Sequence, residues 1–402
     1  MNEKLFNKNK ENIINSFYTL KRSNDFYLDY LKEYDNIVNY SDFSKIPILT
    51  KDMLMRNYSS FFNAVKDKRL ECYSTSGTSG KPLKIYRTVI DDMAQNSILN
   101  FYRMKHYPQI VSNRGIHFLF IYRDTIPNSL YEVNNYNNRF ERFQYFVIND
   151  FLLNAALLYI DKYKPSWIVG SVSFVLKLAE YEIKHRLLNH KIEYIECNSE
   201  YLYDYVVTVV EEAFMVKPTS IYGSNEHGVI AFQCEKGNMH IVEENVFVEI
   251  NEKNNVIITS LINKRTGLLR YEQGDIAKWS NKSCSCSLNG PVIELTGFRK
   301  NDFITYGDTS IDMWFFHGLV KKLQILFNIE IKQYKVIQEN RNINIQLIVT
   351  NSEYFSQKKE MCLMIEQEFK KIFRNELVIH IYFVDQILNN SKTGKFKYFE
   401  KI

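Results

Sequence analysis

Apolar residues recur along the chain in two kinds of run, and their alternation sets the fold class. Ile116–Tyr122 (IHFLFIY) is short and continuously apolar, the pattern of a strand buried on both faces. Asp150 then stands at a helix-cap position ahead of Phe151, Leu152, Ala155, Leu158 and Tyr159. Trp167–Val169 predicts a strand and Phe174–Arg186 a helix; Ile192–Cys197 predicts a strand, Tyr201–Phe214 a helix and Thr219–Tyr222 a strand. Strands alternating with helices of this length imply a mainly parallel sheet. Upstream, residues 1–70 read as mostly helical, with a loop ending in Ile46-Pro47-Ile48-Leu49-Thr50-Lys51.

After Gly223 the texture changes. His240–Ile250, Val256–Leu261, Leu268–Tyr271 and Val292–Leu295 are β-rich with turn residues between them, which predicts a barrel-like β subdomain. From about residue 303 the order is helix, two strands (Lys332–Gln338, Ile343–Val349), a long helix and a final strand (Val378–Val384). The fold expected is α/β: a large N-terminal domain over 1–299 with parallel sheets and the β subdomain, then a small α+β domain over 300–402. The boundary falls within Gly297–Asp302. There is no internal repeat and no low-complexity linker.

Composition narrows the class. With 402 residues, 45% hydrophobic and 24% charged, the chain is no disordered tail, collagen or small disulfide scaffold. A net charge of +5 calls for neither nucleic acid nor a membrane surface as partner. The polar start, MNEKLFNKNKEN, lacks the apolar core of a signal peptide. Stretches such as Trp167–Leu176 are about half the length needed to cross a bilayer. The expected location is cytoplasmic. Six cysteines are few for this length, and in a reducing compartment they suggest metal before disulfides.

Two constellations carry chemistry. Cys234 and His240, followed by the Cys284-x-Cys286 pair, offer three thiols and one imidazole, a set suited to a closed tetrahedral Zn²⁺ site. Their flanks, Gly237-Asn238 and Ser283, Ser285 and Ser287, are turn-like, as a metal knuckle needs. Four unlinked residues in β-turns are the alternative. Cys72, Cys197 and Cys362 read as packed thiols. The second constellation, Tyr73–Pro82, reads Y-S-T-S-G-T-S-G-K-P. Its glycines let the backbone approach an anion, on which N–H groups, hydroxyls and one ammonium converge. It is not the common P-loop, because Thr75 stands where that pattern needs Gly and Pro82 follows the Lys. The strand-like Leu83-Lys84-Ile85-Tyr86 that follows predicts a hairpin.

Ser74–Pro82 resembles the phosphate-binding motif of the adenylate-forming enzymes, the superfamily of acyl-CoA synthetases and adenylation domains. Its other motifs follow in order. Ile221-Tyr222-Gly223-Ser224-Asn225-Glu226 resembles Y-G-x-T-E. Leu269-Arg270-Tyr271-Glu272-Gln273-Gly274-Asp275 resembles R-Y-x-x-G-D. Thr393-Gly394-Lys395-Phe396 resembles the C-terminal G-K motif, and Cys197-Asn198-Ser199-Glu200 the segment lining the adenine pocket. The likeness spans residues 73 to 397. The short chain and the Gly-Ser-Val-Ser of 170–173 point to the phenylacetate-CoA ligase-like branch, which includes capsule-biosynthesis relatives and synthetases that adenylate a deazaflavin coenzyme. Similar Cys and His positions occur in that branch.

The resemblance implies ATP and Mg²⁺ as cofactors and a carboxylate attacking the α-phosphorus, a displacement that needs positioning and charge neutralisation. Thr75, Ser76, Thr78, Ser79 and Lys81, with Gly77 and Gly80, would hold the β- and γ-phosphates. Glu226 would bind Mg²⁺. Tyr222, beside Gly223, would stack on adenine near Asn198, Ser199 and Glu200, and Asp275 would accept both ribose hydroxyls. Lys395 would reach the α-phosphate from the small domain; Lys392 and Lys397 are its neighbours, and the spacing after Gly394 favours Lys395. The family's hinge pattern is close to G-R-x-x-D. Here Phe298 replaces the Gly but Arg299 and Asp302 fit, and the resemblance implies Arg299 as a ribose or phosphate contact and Asp302 as the pivot of a mobile lid. The acyl pocket would fall near Gly170, Ser171, Ser173, His227 and Gly228.

The function implied is acyl-AMP formation, then transfer to CoA, a carrier-protein thiol or an amine, with a carboxylic acid as substrate. A nucleotidyl transferase making a stable AMP adduct of a hydroxyl-bearing compound is the alternative. A non-catalytic nucleotide-binding protein is disfavoured by the intact Lys81, Glu226, Asp275 and Lys395. A homodimer stays open.

Overall fold

The computed structural model describes residues 1–62, 70–74, 83–121, 129–137, 139–263, 266–281, 283–286, 288, 290–299, 302–350, 354–388 and 396–402. It divides into two compact units, Met1–Thr296 and Gly297–Ile402.

Unit 1 opens with α1 (Asn2–Ser23), α2 (Asp25–Tyr30), α3 (Tyr40–Ser44), α4 (Lys51–Arg56) and α5 (Tyr58–Phe62). Leu5, Phe6, Ile13, Phe17 and Leu20 put one apolar face of α1 into the core. Asn24, Asn39 and Thr50 cap the next three helices through side-chain oxygens. A hairpin follows, β1 (Leu70–Ser74) antiparallel to β2 (Lys84–Thr88), so the strand expected after Pro82 is present. Thr88 and Asp91 form a capping box that starts α6 (Val89–His106).

The α/β part runs β3 (Gly115–Phe120), β4 (Tyr131–Asn137), β5 (Phe140–Tyr145), α7 (Asp150–Tyr163), β6 (Trp167–Ser171), α8 (Val172–His185), β7 (Tyr194–Asn198), α9 (Asp204–Phe214) and β8 (Thr219–Ser224). Strands β5, β3, β6, β7 and β8 are parallel neighbours. Helices α7 to α9 bury Leu157, Ile160, Phe174, Leu178 and Val210 against Ile116, Phe118 and Ile168. Asn149, rather than Asp150, caps α7, its side chain accepting the Leu152 N–H. Asp150 is the first helical residue, where its charge suits the helix dipole.

The β-rich part comprises β9 (Gly228–Gln233), β10 (Met239–Ile241), β11 (Val246–Ile250), β12 (Asn255–Ser260), β13 (Tyr271–Trp279) and β14 (Val292–Arg299). It continues the same sheet, in the order β11-β12-β13-β14-β10-β9-β8-β7-β6-β3-β5-β4, twelve strands in all. The expected strand at Leu268–Tyr271 is a buried loop up to Arg270. Its consecutive N–H groups bond to hydroxyls instead of a ladder: Leu268 to Ser260, Leu269 to Tyr27 and Arg270 to Thr259, at 3.2, 2.9 and 3.0 Å.

Unit 2 starts with a hairpin the sequence did not announce, β15 (Phe303–Tyr306) with β16 (Thr309–Asp312). Then come α10 (Met313–Phe327), β17 (Ile331–Glu339), β18 (Asn342–Val349), α11 (Tyr354–Phe373), β19 (Val378–Phe383) and a last strand β20 (Phe399–Lys401) parallel to β17. The sheet order is β19-β18-β17-β20. Phe316, Leu323, Met361, Ile365 and Phe369 cover Val336, Ile345 and Leu347.

Candidate active site

In a parallel sheet flanked by helices, ligands collect where the strands end at their carboxyl edge. Ser171, the end of β6, pairs with Asn198, the end of β7. The next strand, β8, ends at Ser224, and Asn225-Glu226-His227 makes the turn into β9. Ser199 (φ +69°) turns the chain out of the sheet just beyond β7. Asn198, Ser199, Tyr222, Gly223 and Glu226 therefore share one edge. Asp275 reaches it from β13, after Gly274 at φ +85°, and its Oδ2 accepts a 2.7 Å hydrogen bond from the Tyr222 hydroxyl.

Other expected site residues are engaged within the fold. Glu200 sits at the start of α8, accepting the Ser173 N–H at 2.7 Å and the Ser173 hydroxyl. There its charge meets the positive end of the helix dipole. Ser171 caps the same helix, accepting the Phe174 N–H. A Cβ on Gly170 would face Val175, Phe118 and Phe174, so that position abuts the apolar core. Gly228 (φ +71°) abuts Gln95. His227 is buried, its Nδ1 3.0 Å from Ser260 Oγ. Burial first, and the Arg87 charge second, hold its imidazole down at about 3.

At the start of unit 2, Asp302 Oδ2 accepts the Arg299 N–H at 2.9 Å and Asp302 N–H donates to Arg299 O at 2.9 Å. Asp302 thus bonds twice to the backbone of the arginine the motif singles out. Thr75, Ser76, Gly77, Thr78, Ser79, Gly80 and Lys81, and likewise Lys392, Gly394 and Lys395, lie outside the described residues.

Among the described residues Cys234, His240, Cys284 and Cys286 place one ligand atom each within 4.8 Å of one another. Cys234 Sγ is 3.7 Å from Cys284 Sγ, and Cys286 Sγ is 3.3 Å from His240 Nε2. Tetrahedral Zn²⁺, with metal–sulfur bonds of about 2.3 Å, sets sulfur atoms about 3.8 Å apart, so the donor set fits that ion. The second imidazole nitrogen, Nδ1, is 3.0 Å from Gly290 O, which fixes the ring with Nε2 turned to the thiols. Gly290 allows this approach, since a Cβ there would lie 3.1 Å from Ile241 O. Desolvation raises the Cys284 thiol, but hydrogen bonds from the Cys286 backbone, His240 and Asn238 outweigh it and bring the thiol down to about 6. The cluster joins the β9–β10 hairpin to the loop between β13 and β14.

Two features were not legible in the motifs. Arg270, the arginine of the R-Y-x-x-G-D match, is a structural clasp. Its Nε and Nη2 bond to Glu249 at 3.0 and 3.1 Å, and Nη1 bonds to the carbonyls of Ser44 and Ile46. A buried ion pair at φ +48°, it ties α3 to the sheet beside Asp275. The other feature is Arg87 with Asp92 and Gln95, which carry no motif; only their place just after the Ser/Gly-rich segment could have drawn notice.

No family model and no curated protein matches the sequence. Among solved structures, 2-hydroxyisobutyryl-CoA ligase in the postadenylation state with 2-HIB-AMP superposes with a TM-score of 0.66 at 12% identity, over 97% of this chain and 88% of that one. An open conformation of the same ligase, with 2-HIB-AMP and CoA, gives 0.60 at 14% identity, over 95% and 88%. The GH3.15 acyl acid amido synthetase in complex with 2,4-DB gives 0.60 at 14% identity, over 94% and 87%. The fold is that of the adenylate-forming ligases.

Proposed function

We propose that the protein is an ATP-dependent carboxylate ligase. A carboxylate oxygen of the substrate bonds to the α-phosphorus of ATP, the bond to the β-phosphate oxygen breaks, and acyl-AMP and pyrophosphate result. The thiol of CoA or a carrier, or an amine, then bonds to the acyl carbon, the bond to the phosphate oxygen breaks, and AMP and the nucleophile's proton are released. The observation that carries the reading is the meeting of Tyr222, Asp275 and the Glu226 turn at the strand ends of a sheet with this fold. A carboxylate suits the ribose diol, an aromatic ring the adenine face, and a second carboxylate a hard cation that also binds phosphate oxygens. Segment 75–82 would hold the β- and γ-phosphates, with Lys81 as its point charge. Asn198 and Ser199 would border the adenine, and Arg299 would contact ribose or phosphate. Gly170, Ser171, Ser173, His227 and Gly228 would border the acyl group. Residues from about 303 onward would form a lid turning at Asp302 and carrying Lys395 to the reacting phosphate.

The thiol and imidazole cluster would hold a structural Zn²⁺, since all four positions of a tetrahedron are taken by protein. Reduced thiols fit a cytoplasmic protein. Among the described residues no helix is long and apolar enough to cross a membrane.

Exchange of pyrophosphate into ATP, screened over a library of carboxylic acids, with product analysis in the presence of CoA or amines, tests the reading. Acid-dependent exchange is expected. Adenylation of a hydroxyl compound with no acid-dependent exchange would replace this reading with the nucleotidyl transferase.

A further inference from the structure

A buried arginine that no motif names lies between the stem of segment 75–82 and the Glu226 turn. Arg87, in β2, has 5% of its surface exposed. Its guanidinium carbon sits 3.8 Å from the ring centroid of Tyr73 in β1. Nε is 3.3 Å from Asp92 Oδ1 in α6, and the Tyr73 hydroxyl donates to Asp92 Oδ2 at 2.6 Å. Nη1 donates to Gln95 Oε1, and Nη2 reaches the carbonyl of Asn225 at 3.4 Å. Tyr73 and Arg87 thus belong to the two strands that lead into and out of segment 75–82.

Gln95 extends the network. Its Nε2 donates to His227 O at 3.2 Å, and Asn245 Nδ2 donates to the same oxygen at 2.8 Å. The carbonyls immediately before and after Glu226, those of Asn225 and His227, are therefore each held by a side chain of one group. Gly228 completes the fit: at φ +71°, a Cβ there would collide with the Gln95 amide.

Burying a charge is costly unless it is paired, and Asp92 pairs this one. A pair of apolar residues would fill the space as well. What guanidinium adds is a rigid planar fork that addresses an aromatic face, a carboxylate, an amide and a carbonyl at once. We propose that Arg87 and Gln95 are positioning residues that lock the Glu226 turn against the β1–β2 strand pair, so that Mg²⁺ meets a preorganised carboxylate. This rests on the reading that Glu226 binds Mg²⁺. Neither residue needs to touch the nucleotide. Their loss loosens the carboxylate, and the part of ATP affinity that depends on Mg²⁺ falls.

The test is calorimetric titration of the full chain with ATP, once with Mg²⁺ and once with EDTA, alongside thermal unfolding. Wild-type protein, Arg87→Lys, Gln95→Ala and Glu226→Gln are compared. Wild-type protein is expected to bind ATP more tightly with Mg²⁺, and Glu226→Gln to lose that gain. Arg87→Lys and Gln95→Ala are each expected to cut the gain by about tenfold, as losses behind a metal ligand do, while affinity in EDTA holds. Equal weakening with and without Mg²⁺, or no weakening, overturns the proposal. If Arg87→Lys does not fold, Gln95→Ala decides alone. If Glu226→Gln keeps the full Mg²⁺ gain, the reading of Glu226 fails, and the clamp with it.

Discussion

The hydroxyl of Tyr222 and the carboxylate of Asp275, 53 residues apart in sequence, meet in a 2.7 Å hydrogen bond. The tyrosine comes from β8, which pairs parallel with β7 and antiparallel with β9, and the aspartate from β13 in the antiparallel part. The bond fixes the plane of the ring and the direction of the carboxylate together. A nucleotide that stacks on one and offers its ribose to the other would find both already oriented.

Asp275→Ala should therefore weaken ATP binding by roughly 1.5–3 kcal/mol, the range for a hydrogen bond to a charged group. Tyr222→Phe keeps the ring and loses only the bond to Asp275, so its cost should be smaller, about 1 kcal/mol. Titration calorimetry with ATP gives both numbers. An Asp275→Ala protein with unchanged affinity would mean the ribose lies elsewhere.

The cluster of three thiols and one imidazole makes a separate prediction. Purified protein prepared without chelator should carry about one zinc per chain. Cys284→Ser combined with Cys286→Ser should lose it and unfold at a lower temperature, because metal-binding free energy is folding free energy when the ligands come from separate strands. Elemental analysis that finds no metal in the wild-type protein sinks the assignment.

How far the sequence alone led can be seen in single residues. The strand Trp167–Ser171 was legible because a strand buried on both faces reads as one apolar run. That Cys234, His240, Cys284 and Cys286 converge was legible because thiols and imidazoles flanked by turn residues are few in the chain. The hairpin at Phe303–Asp312 was not: its strands are four residues each, too short for a period. Leu268–Arg270 misled because it is apolar and buried as a strand would be, while hydroxyls of Ser260, Tyr27 and Thr259 replace the ladder. Glu200 read as a pocket residue from its neighbours in sequence. Its partner is the first turn of α8, a relation visible only once β6 and β7 lie side by side.

Acid should destabilise unit 1 through His117. The residue lies on β3, where burial first, then the charges of Arg103 in α6 and Arg142 in β5, holds its imidazole at about 4 against an ordinary 6.5. Glu196 in β7 does not offset them, being bound to Arg103 Nε at 2.7 Å. Above pH 6.5 His117 is neutral in both states and has no effect. Below it the unfolded chain takes up a proton that the folded chain refuses, so stability falls as pH drops from 6.5 towards 4. At pH 5 the loss from this group is up to ~2 kcal/mol. Denaturant midpoints at pH 7 and pH 5 for wild-type and His117→Gln protein measure it. The variant should lose less, and identical losses would clear His117 of the effect.

The sharpest kinetic prediction concerns Lys395. If residues from about 303 onward form a lid, Lys395 would stand at the phosphorus only when the lid is closed for adenylation. Lys395→Ala should then spare folding and ATP binding but slow acyl-AMP formation by about 10²–10³, the usual effect of removing one positioned charge from developing anionic oxygen. The second half-reaction, started from supplied acyl-AMP, should be far less affected, because rotation at Asp302 would carry Lys395 away before transfer. Replacement of Asp275, placed at the ribose that ATP and acyl-AMP share, should slow both half-reactions and so should not show this asymmetry. Both half-reactions are to be measured by rapid quench on one preparation of the variant. Equal slowing of the two would mean that Lys395 serves both steps or that the lid does not turn. No slowing of either would shift the role to Lys392 or Lys397.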